Sequence, residues 1–505
     1  MRRAALASLT GLSLAITLAA APAQAAAPAA SKLAGLVTLK NVRHHQLNLQ
    51  KIADANGGNR AAGLAGNKIT VRYIADQLKR AGYTPTIQNF EFDFWQEPSQ
   101  PVFAETAPEP KTFAPDTDFA TLQYSGSGDV TAAASPVDPG ATGTGSGCEA
   151  DDFAGFPKGN IALIQRGGCF FSVKADNAIA AGATAVVIYQ LPDQPGPVGG
   201  TLTKPYGIPV IGPSNAVGKA LVQQAQNGGV TLRVKTDTVN EKRQTSNVIA
   251  DTKRGRADNV VVLGAHNDSV TDGPGINDDG SGTATLLETA KQIGKLGGKV
   301  RNKVRFAFWG AEEEGLLGSQ HYVDSLSQAE RDKIALNLNF DMLAAPNFVR
   351  FVYDGDNSEG QNGAEAPAGS GAIEKAFNDY FATRKLATAP TPFNGRSDYN
   401  AFITVGIPAG GLFTGAEGIK TAEQAKVYGG EAGKAYDPCY HSACDRYDNV
   451  SLKGFDQMID GAAAVTELFA HSTLTVNGNE LARKQAQAQP RKRMVPEEIG
   501  KYTTR

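Results

Sequence analysis

Residues 259–280 read NVVVLGAHNDSVTDGPGINDDG. An apolar run opens the stretch and ends in His266, and four aspartates follow: Asp268, Asp272, Asp278 and Asp279. The whole chain of 505 residues has only six histidines. A strand that buries itself and then ends among like charges poses an electrostatic problem. Carboxylates crowd together only where a positive group sits among them. A lysine, a solvating surface or a metal ion would each answer it.

Outward from this stretch the pattern is that of an α/β protein. Apolar segments of strand length recur at NVIADT (247–252), KVRFAFWG (303–310), IALNLNFDML (334–343) and VRFVYDG (349–355). Amphipathic helical segments such as GTATLLETAKQIGKL (282–296) lie between several of them. The alternation predicts a mostly parallel central sheet flanked by helices. Ligands of such sheets bind in the crevice beyond the carboxyl ends of the strands, and the acidic motifs fall at those ends.

Four stretches carry the chemistry: His266, Asp268 and Asp278 after the first strand, Glu312–Glu314 in FWGAEEEGLLGS, Asp341 in NFDMLAAPN, and Tyr440 and His441 in YDPCYHSACD. Taken singly, each has a plainer reading. A strand-end histidine is usually a core residue, an acidic loop usually opens a helix, and Asp341 alone could be a helix cap. Taken together, two imidazoles and three carboxylates are a zinc donor set. A carboxylate shared by two ions about 3.5–4 Å apart would account for the acid-rich opening motif. Competing hydrolytic signatures are absent, since the chain has neither an H-E-x-x-H helix nor a G-x-S-x-G elbow.

In combination these motifs resemble peptidase family M28, the co-catalytic zinc aminopeptidases, and most of all its secreted bacterial leucine aminopeptidases. The likeness covers about 245–475 and the helical segment 35–95. It implies two Zn2+ per chain: one on His266 and Asp341, the other on Glu313 and His441, with Asp278 bridging. Asp272, Asp279 and Glu314 are then neighbours rather than ligands. The resemblance makes Glu312 the general base, which takes a proton from a water and passes it to the leaving amine. Asp268, two residues beyond His266, would share its strand face and fix the imidazole tautomer. Tyr440 would donate to the developing oxyanion, and Arg396 in NGRSDYNAF matches a position that contacts the substrate backbone. Asp456 and Asp460, four apart on a helical segment, match a calcium site of some relatives, against the simpler reading of a solvated helix face.

The implied activity is removal of the N-terminal residue, of large apolar type such as leucine, from peptides with a free N-terminus. Carboxypeptidase, glutaminyl cyclase and non-catalytic binding-module readings remain as alternatives within the same architecture. An intact ligand set with Glu312 present counts against the last.

The rest of the chain frames this core. Residues 1–25 read as a secretory signal peptide, with Arg2 and Arg3 before an apolar stretch and Ala23-Gln24-Ala25 as cleavage site, so a secreted, extracellular product is expected. No later segment has the roughly 18 apolar residues of a membrane span. Residues 26–120 form an N-terminal segment packing on the catalytic domain. Its helical segments are LVTLKNVRHHQLNLQKIADA (36–55) and KITVRYIADQLKRAG (68–82). The adjacent His44 and His45 diverge on a helix and are poor joint ligands.

A change to Pro, Ala, Gly, Thr and Asp over about 100–145 marks a linker or short strands. Residues 121–238 read as a buried strand (161–165), a glycine turn, a helix (172–181) and a second buried strand (185–189), and resemble the protease-associated (PA) domain on the pattern GCEADDF…IQRGGCFF…TAVVIY, inserted ahead of the catalytic residues 239–475. The four cysteines of an exported chain pair in sequence as Cys148–Cys169 and Cys439–Cys444. A four-cysteine zinc site is disfavoured by their spacing.

The net charge of −2 conceals an uneven distribution. The tail 476–505 is basic and reads as a solvated end, which leaves an acidic body. That balance argues against nucleic acid as a partner, and a monomer without a membrane partner is expected.

Overall fold

The computed structural model describes residues 31–478 apart from 140–144, 193, 298, 362, 364 and 365. The expected signal peptide and all but the first three residues of the basic tail lie outside the described residues.

Among the described residues there are two eight-stranded sheets. The larger runs in the order Thr86–Gln96, Val239–Asp251, Asn302–Trp309, Arg256–His266, Ile334–Phe340, Ala409–Phe413, Phe351–Tyr353, Ala389–Thr391. Its four middle strands are parallel, and antiparallel pairs flank them. The fold is therefore the expected α/β type, with a mostly parallel centre. All seven residues of Ile334–Phe340 are buried, as a strand covered on both faces requires. Side-chain alternation separates the two faces. Val261, Leu263 and Ala265 join the core that holds Phe306, Phe308 and Leu338, whereas Val260 and Val262 join the opposite one with Trp309, Tyr322 and Phe402.

The helix Gly280–Lys295 crosses back over this sheet. Its cap is Asp279, whose Oδ1 accepts from the Gly282 amide at 2.8 Å. A Cβ on Gly282 would stand 1.9 Å from the Phe340 carbonyl oxygen. Glycine there lets the helix start press against the end of the next strand, which brings the 278–279 pair up to Asp341. Thr283 Oγ1 donates to the His266 carbonyl at 2.6 Å and ties the helix to the first strand as well.

The second sheet is spliced into the first. Thr86–Gln96 and Val239–Asp251 form one antiparallel ladder from Thr86↔Ile249 to Gln96↔Val239, and the chain leaves and returns at the Gln96 end. Ile161–Gln165 and Ala185–Tyr189 match the strands read from sequence. The strands Val102–Ala107, Lys111–Thr112 and Phe119–Thr121 also belong to this second sheet. The changeover between units thus follows Gln96 instead of falling at 120. Phe103, Phe113 and Phe119 share one buried cluster with Leu163 and Val187, so of the two readings of this stretch, linker or short strands, the second holds for 102–121.

The helices Leu39–Asp54 and Ala65–Arg80 pack on the larger sheet's side, their Val42, Ile74 and Leu78 entering its main core. His44 is exposed. His45 is buried, with Nδ1 2.7 Å from the Tyr73 hydroxyl and Nε2 3.5 Å from Glu288. Among the described residues, neither histidine belongs to a group able to hold a metal ion. No described helix is long and apolar enough to cross a membrane.

Candidate metal centre

The sequence-predicted residues converge at the carboxyl ends of the middle strands. His266 is the last residue of its strand, and Glu312 and Glu313 follow the neighbouring strand in a tight turn. Asp341 follows the strand on the other side, and His441 arrives on the loop closed by the Cys439–Cys444 disulfide. His266 Nε2 lies 2.9 Å from Asp278 Oδ1 and 3.5 Å from Asp341 Oδ1. His441 Nε2 lies 3.2 Å from Asp278 Oδ2 and 3.0 Å from Glu313 Oε2. Asp278 thus stands between the two imidazoles, one oxygen toward each.

Three buried atoms in this cluster have no hydrogen-bond partner: His266 Nδ1, Glu313 Oε1 and Asp341 Oδ1. Buried polar atoms are rarely left so. Two sets, His266–Asp278–Glu313 and His266–Asp279–Asp341, have one donor atom per residue within 4.8 Å of the others. Nitrogen and carboxylate donors at that density fit zinc. In the second set Asp279 is already engaged, accepting from the backbone amides of His266 (3.1 Å), Gly282 (2.8 Å) and Met342 (3.2 Å). Its carboxylate is a fastening, and Asp278 is the freer donor.

The electrostatics carry the same message. Burial alone would lower both imidazoles. For His266 the surrounding carboxylates, led by Glu312 and Asp341, override it and hold the ring well above its usual range. Glu313 and Asp278 push His441 up to about 10. Glu312 is buried, its Oε2 3.9 Å from His266 Nε2. Burial pushes its carboxyl upward, His266 opposes that, and Asp341 adds to it.

Asp268 departs from the expected geometry. The strand ends at His266, so the two do not share a strand face, yet Asp268 Oδ1 still lies 3.7 Å from His266 Nδ1. Its closer partners are the amides of Glu312 and Glu313, at 3.2 and 3.4 Å. Tyr440 stacks on His441 with ring centroids 3.8 Å apart. Arg396 donates to the Tyr440 hydroxyl at 3.2 Å and to Glu417 Oε1 at 2.5 Å. Asp272 is exposed. Asp456 and Asp460 sit on the helix Leu452–His471, in neither of these sets. Burial and then Asp456 push Asp460 up to about 6. Both disulfides pair as expected, Cys148–Cys169 and Cys439–Cys444.

Several supporting residues escape a motif reading. Arg60 is fully buried and donates to the carbonyls of Asn267 (2.6 Å), Pro274 (2.9 Å) and Gly275 (2.6 Å), fixing the loop between His266 and Asp278. Asp445 accepts from the amides of Asn277 (2.8 Å) and Asp278 (3.0 Å). Ser397 donates to Asp341 Oδ2 at 2.6 Å and leaves Oδ1 to face His266. The lone arginine in GGNRAAGLAGN and the aspartate directly after Cys444 were the available signals.

A relative from Pseudomonas aeruginosa named as an aminopeptidase is 46% identical over 460 residues, covering 89% of this chain and 84% of its own length. The sequence model described as Peptidase family M28 matches residues 247–466.

The chain belongs to peptidase family M28.

It is accordingly a metallopeptidase-class hydrolase, and the model of the PA domain matches residues 128–221 within it. An Aspergillus fumigatus protein named as a probable leucine aminopeptidase 2 is 44% identical over 402 residues, 79% of this chain and 76% of its own. Among solved structures, the aminopeptidase from Aneurinibacillus sp. strain AM-1 superposes with a TM-score of 0.68 at 28% identity, covering 86% of this chain and 94% of that one. The zinc aminopeptidase from Bacillus subtilis, at 24% identity and a TM-score of 0.59, shares the fold.

Proposed function

We propose that this chain is a secreted dizinc aminopeptidase that hydrolyses the first peptide bond of substrates with a free N-terminus, favouring a large apolar N-terminal residue such as leucine. The observation that carries the reading is Asp278, one carboxylate oxygen turned to each of two imidazoles, with Asp341 on one flank and Glu313 on the other. His266 and Asp341 would hold one zinc, Glu313 and His441 the other, and Asp278 would bridge. The ions would polarise the scissile carbonyl and lower the pKa of an attacking water toward about 7.

The remaining roles fall to the chain. Glu312, whose carboxyl faces His266 from 3.9 Å, takes the proton of the attacking water and delivers it to the leaving amine. Asp268 orients His266 from 3.7 Å and anchors the turn that carries Glu312 and Glu313. Arg396 already donates to the Tyr440 oxygen, so the phenol's own hydrogen is free to meet the developing oxyanion. Arg396 also stands ready for the substrate backbone. The names of the Pseudomonas and Aspergillus relatives support amino-terminal cleavage. Two disulfides favour an oxidising, extracellular destination. The protein works as a monomer, and calcium on Asp456 and Asp460 is a secondary proposal.

The test is the order of release from Leu-Gly-Phe, with the N-acetylated tripeptide as control. Leucine first, and nothing from the acetylated form, supports the reading. Phenylalanine first would reverse the substrate in the same site.

A further inference from the structure

Three consecutive glutamates follow the strand Asn302–Trp309, and the third is held differently from the first two. Glu312 and Glu313 have their amides on the Asp268 carboxylate. Glu314 is held from outside the catalytic unit: Gln123 Nε2 donates to Glu314 Oε2 at 3.0 Å. The turn around them is tight, with left-handed φ of 54° at Ala311, 106° at Gly315 and 63° at Leu316, and the amides of Gly315 and Leu316 both return to the Glu312 carbonyl. A displaced Glu314 side chain therefore pulls on a turn with little slack.

Gln123 is itself held firmly. Its amide donates to the Gly200 carbonyl, and its own carbonyl accepts from Leu202. Two residues on, the Ser125 carbonyl accepts from Trp95 Nε1 (3.2 Å), Thr238 Oγ1 (2.9 Å) and Asn240 Nδ2 (2.8 Å). These three lie in or beside the two stem strands, Thr86–Gln96 and Val239–Asp251. Tyr124 donates to the Asp93 carbonyl at 3.1 Å. The edge of the second sheet is thus pinned to the catalytic sheet where it presents one neutral amide to an acid adjoining Glu313.

We propose that Gln123 is a positioning residue of the metal centre: the inserted domain, through Gln123 and Glu314, sets the turn that aims Glu313. This rests on the reading of Glu313 as a metal ligand. A neutral donor suits the place: Gln123 fixes the Glu314 carboxyl by a direct hydrogen bond, while Arg243 acts on it only through its charge. The inserted domain is then a working part of the site.

Q123A, E314A and the double variant of the full chain test it, each read by zinc dissociation constant in chelator competition, by kcat/KM on a leucyl peptide, and by melting temperature in chelator. Each single variant is expected to bind the Glu313-side zinc about tenfold more weakly, the low end of the effect of losing a partner behind a metal ligand. The double variant should be no weaker than either single, since all three break one connection. Wild-type zinc affinity in Q123A or in E314A would overturn the proposal, and either variant suffices if the other does not fold. Losses that multiply in the double variant would also overturn it. So would a lower melting temperature with unchanged zinc affinity, which marks a mere fastening between domains. A wild-type protein that binds no zinc would instead sink the metal reading itself.

Discussion

His266 and His441 share one carboxylate, with Asp278 Oδ1 2.9 Å from the first imidazole and Oδ2 3.2 Å from the second. No other residue of the cluster faces both rings at such distances, so Asp278 should decide whether one ion or two are held. In Asp278→Asn the amide keeps the shape and loses the charge that two dications need between them. Metal analysis after dialysis is expected to fall from about two zincs to one or fewer. Retention of two ions would remove Asp278 from the bridging role.

Glu312 makes the opposite prediction. It approaches His266 only to 3.9 Å, whereas Asp278 and Asp341 stand closer. Glu312→Gln should therefore keep both zincs and lose kcat by roughly 10²–10⁴-fold, the usual share of a general base. Metal content and turnover measured on the same preparation separate the two effects. Wild-type turnover in that variant would end the assignment.

The arginine behind the cluster tests how far the site depends on its support. Arg60 is buried and satisfies three carbonyls of the 267–275 loop. In Arg60→Met those carbonyls lose their donor, at about 1–3 kcal/mol for each one left unsatisfied. Thermal unfolding should show a large loss even in chelator, and zinc should restore part of it by binding the folded form. A melting curve like that of the wild type would mean that the loop holds itself.

Which of these residues the sequence disclosed follows from how far their partners lie along the chain. His266, Asp278, Glu313 and Asp341 stand in short motifs beyond apolar strands and His441 in a short cysteine loop, and the resemblance of those motifs to family M28 singled them out as a ligand set. Ile161–Gln165 and Ala185–Tyr189 were legible as short apolar runs. Arg60 reaches a loop more than two hundred residues away, and Gln123 reaches Glu314 from another sheet. No local period encodes such a pairing. Asp268 was visible as a residue, but its grip on the Glu312 and Glu313 amides depends on the turn beyond the neighbouring strand. The stretch 102–121 read only as linker or short strands, because its few aromatics become a core once Leu163 and Val187 lie against them.

The short disulfide loop offers a test of geometry over stability. Cys439 and Cys444 are five residues apart, and between them His441 sits at a left-handed φ of 54° that a non-glycine residue seldom adopts unaided. In the chain-entropy description so small a loop contributes only about 2 kcal/mol. Cys439→Ser with Cys444→Ser should accordingly stay folded yet bind the His441-side zinc more weakly and turn over more slowly. Unchanged zinc affinity under oxidising conditions would show that the Asp445 contacts to Asn277 and Asp278 are enough to hold the loop.

The raised imidazole fixes a sign for the pH dependence of the metal-free protein. His441 moves from 6.5 to about 10, because Glu313 and Asp278 outweigh the effect of burial. A folded state that binds its proton more tightly than the unfolded chain gains stability that is full below about 6.5 and lost as pH rises through about 10. Glu314 adds in the same direction: burial, then Asp268 and Glu313, raise it from 4.5 to about 8, so its contribution fades between those values. His441 keeps a partly exposed edge, and solvent there makes its share smaller than full burial would give. Melting temperature in chelator should therefore fall steadily from pH 6 to 10. With zinc bound, the metal takes the place of the histidine proton and the slope should flatten or reverse over the lower half of that range. A chelated protein whose stability rose with pH would mean that burial wins over the carboxylates and leaves the imidazoles neutral in the empty site.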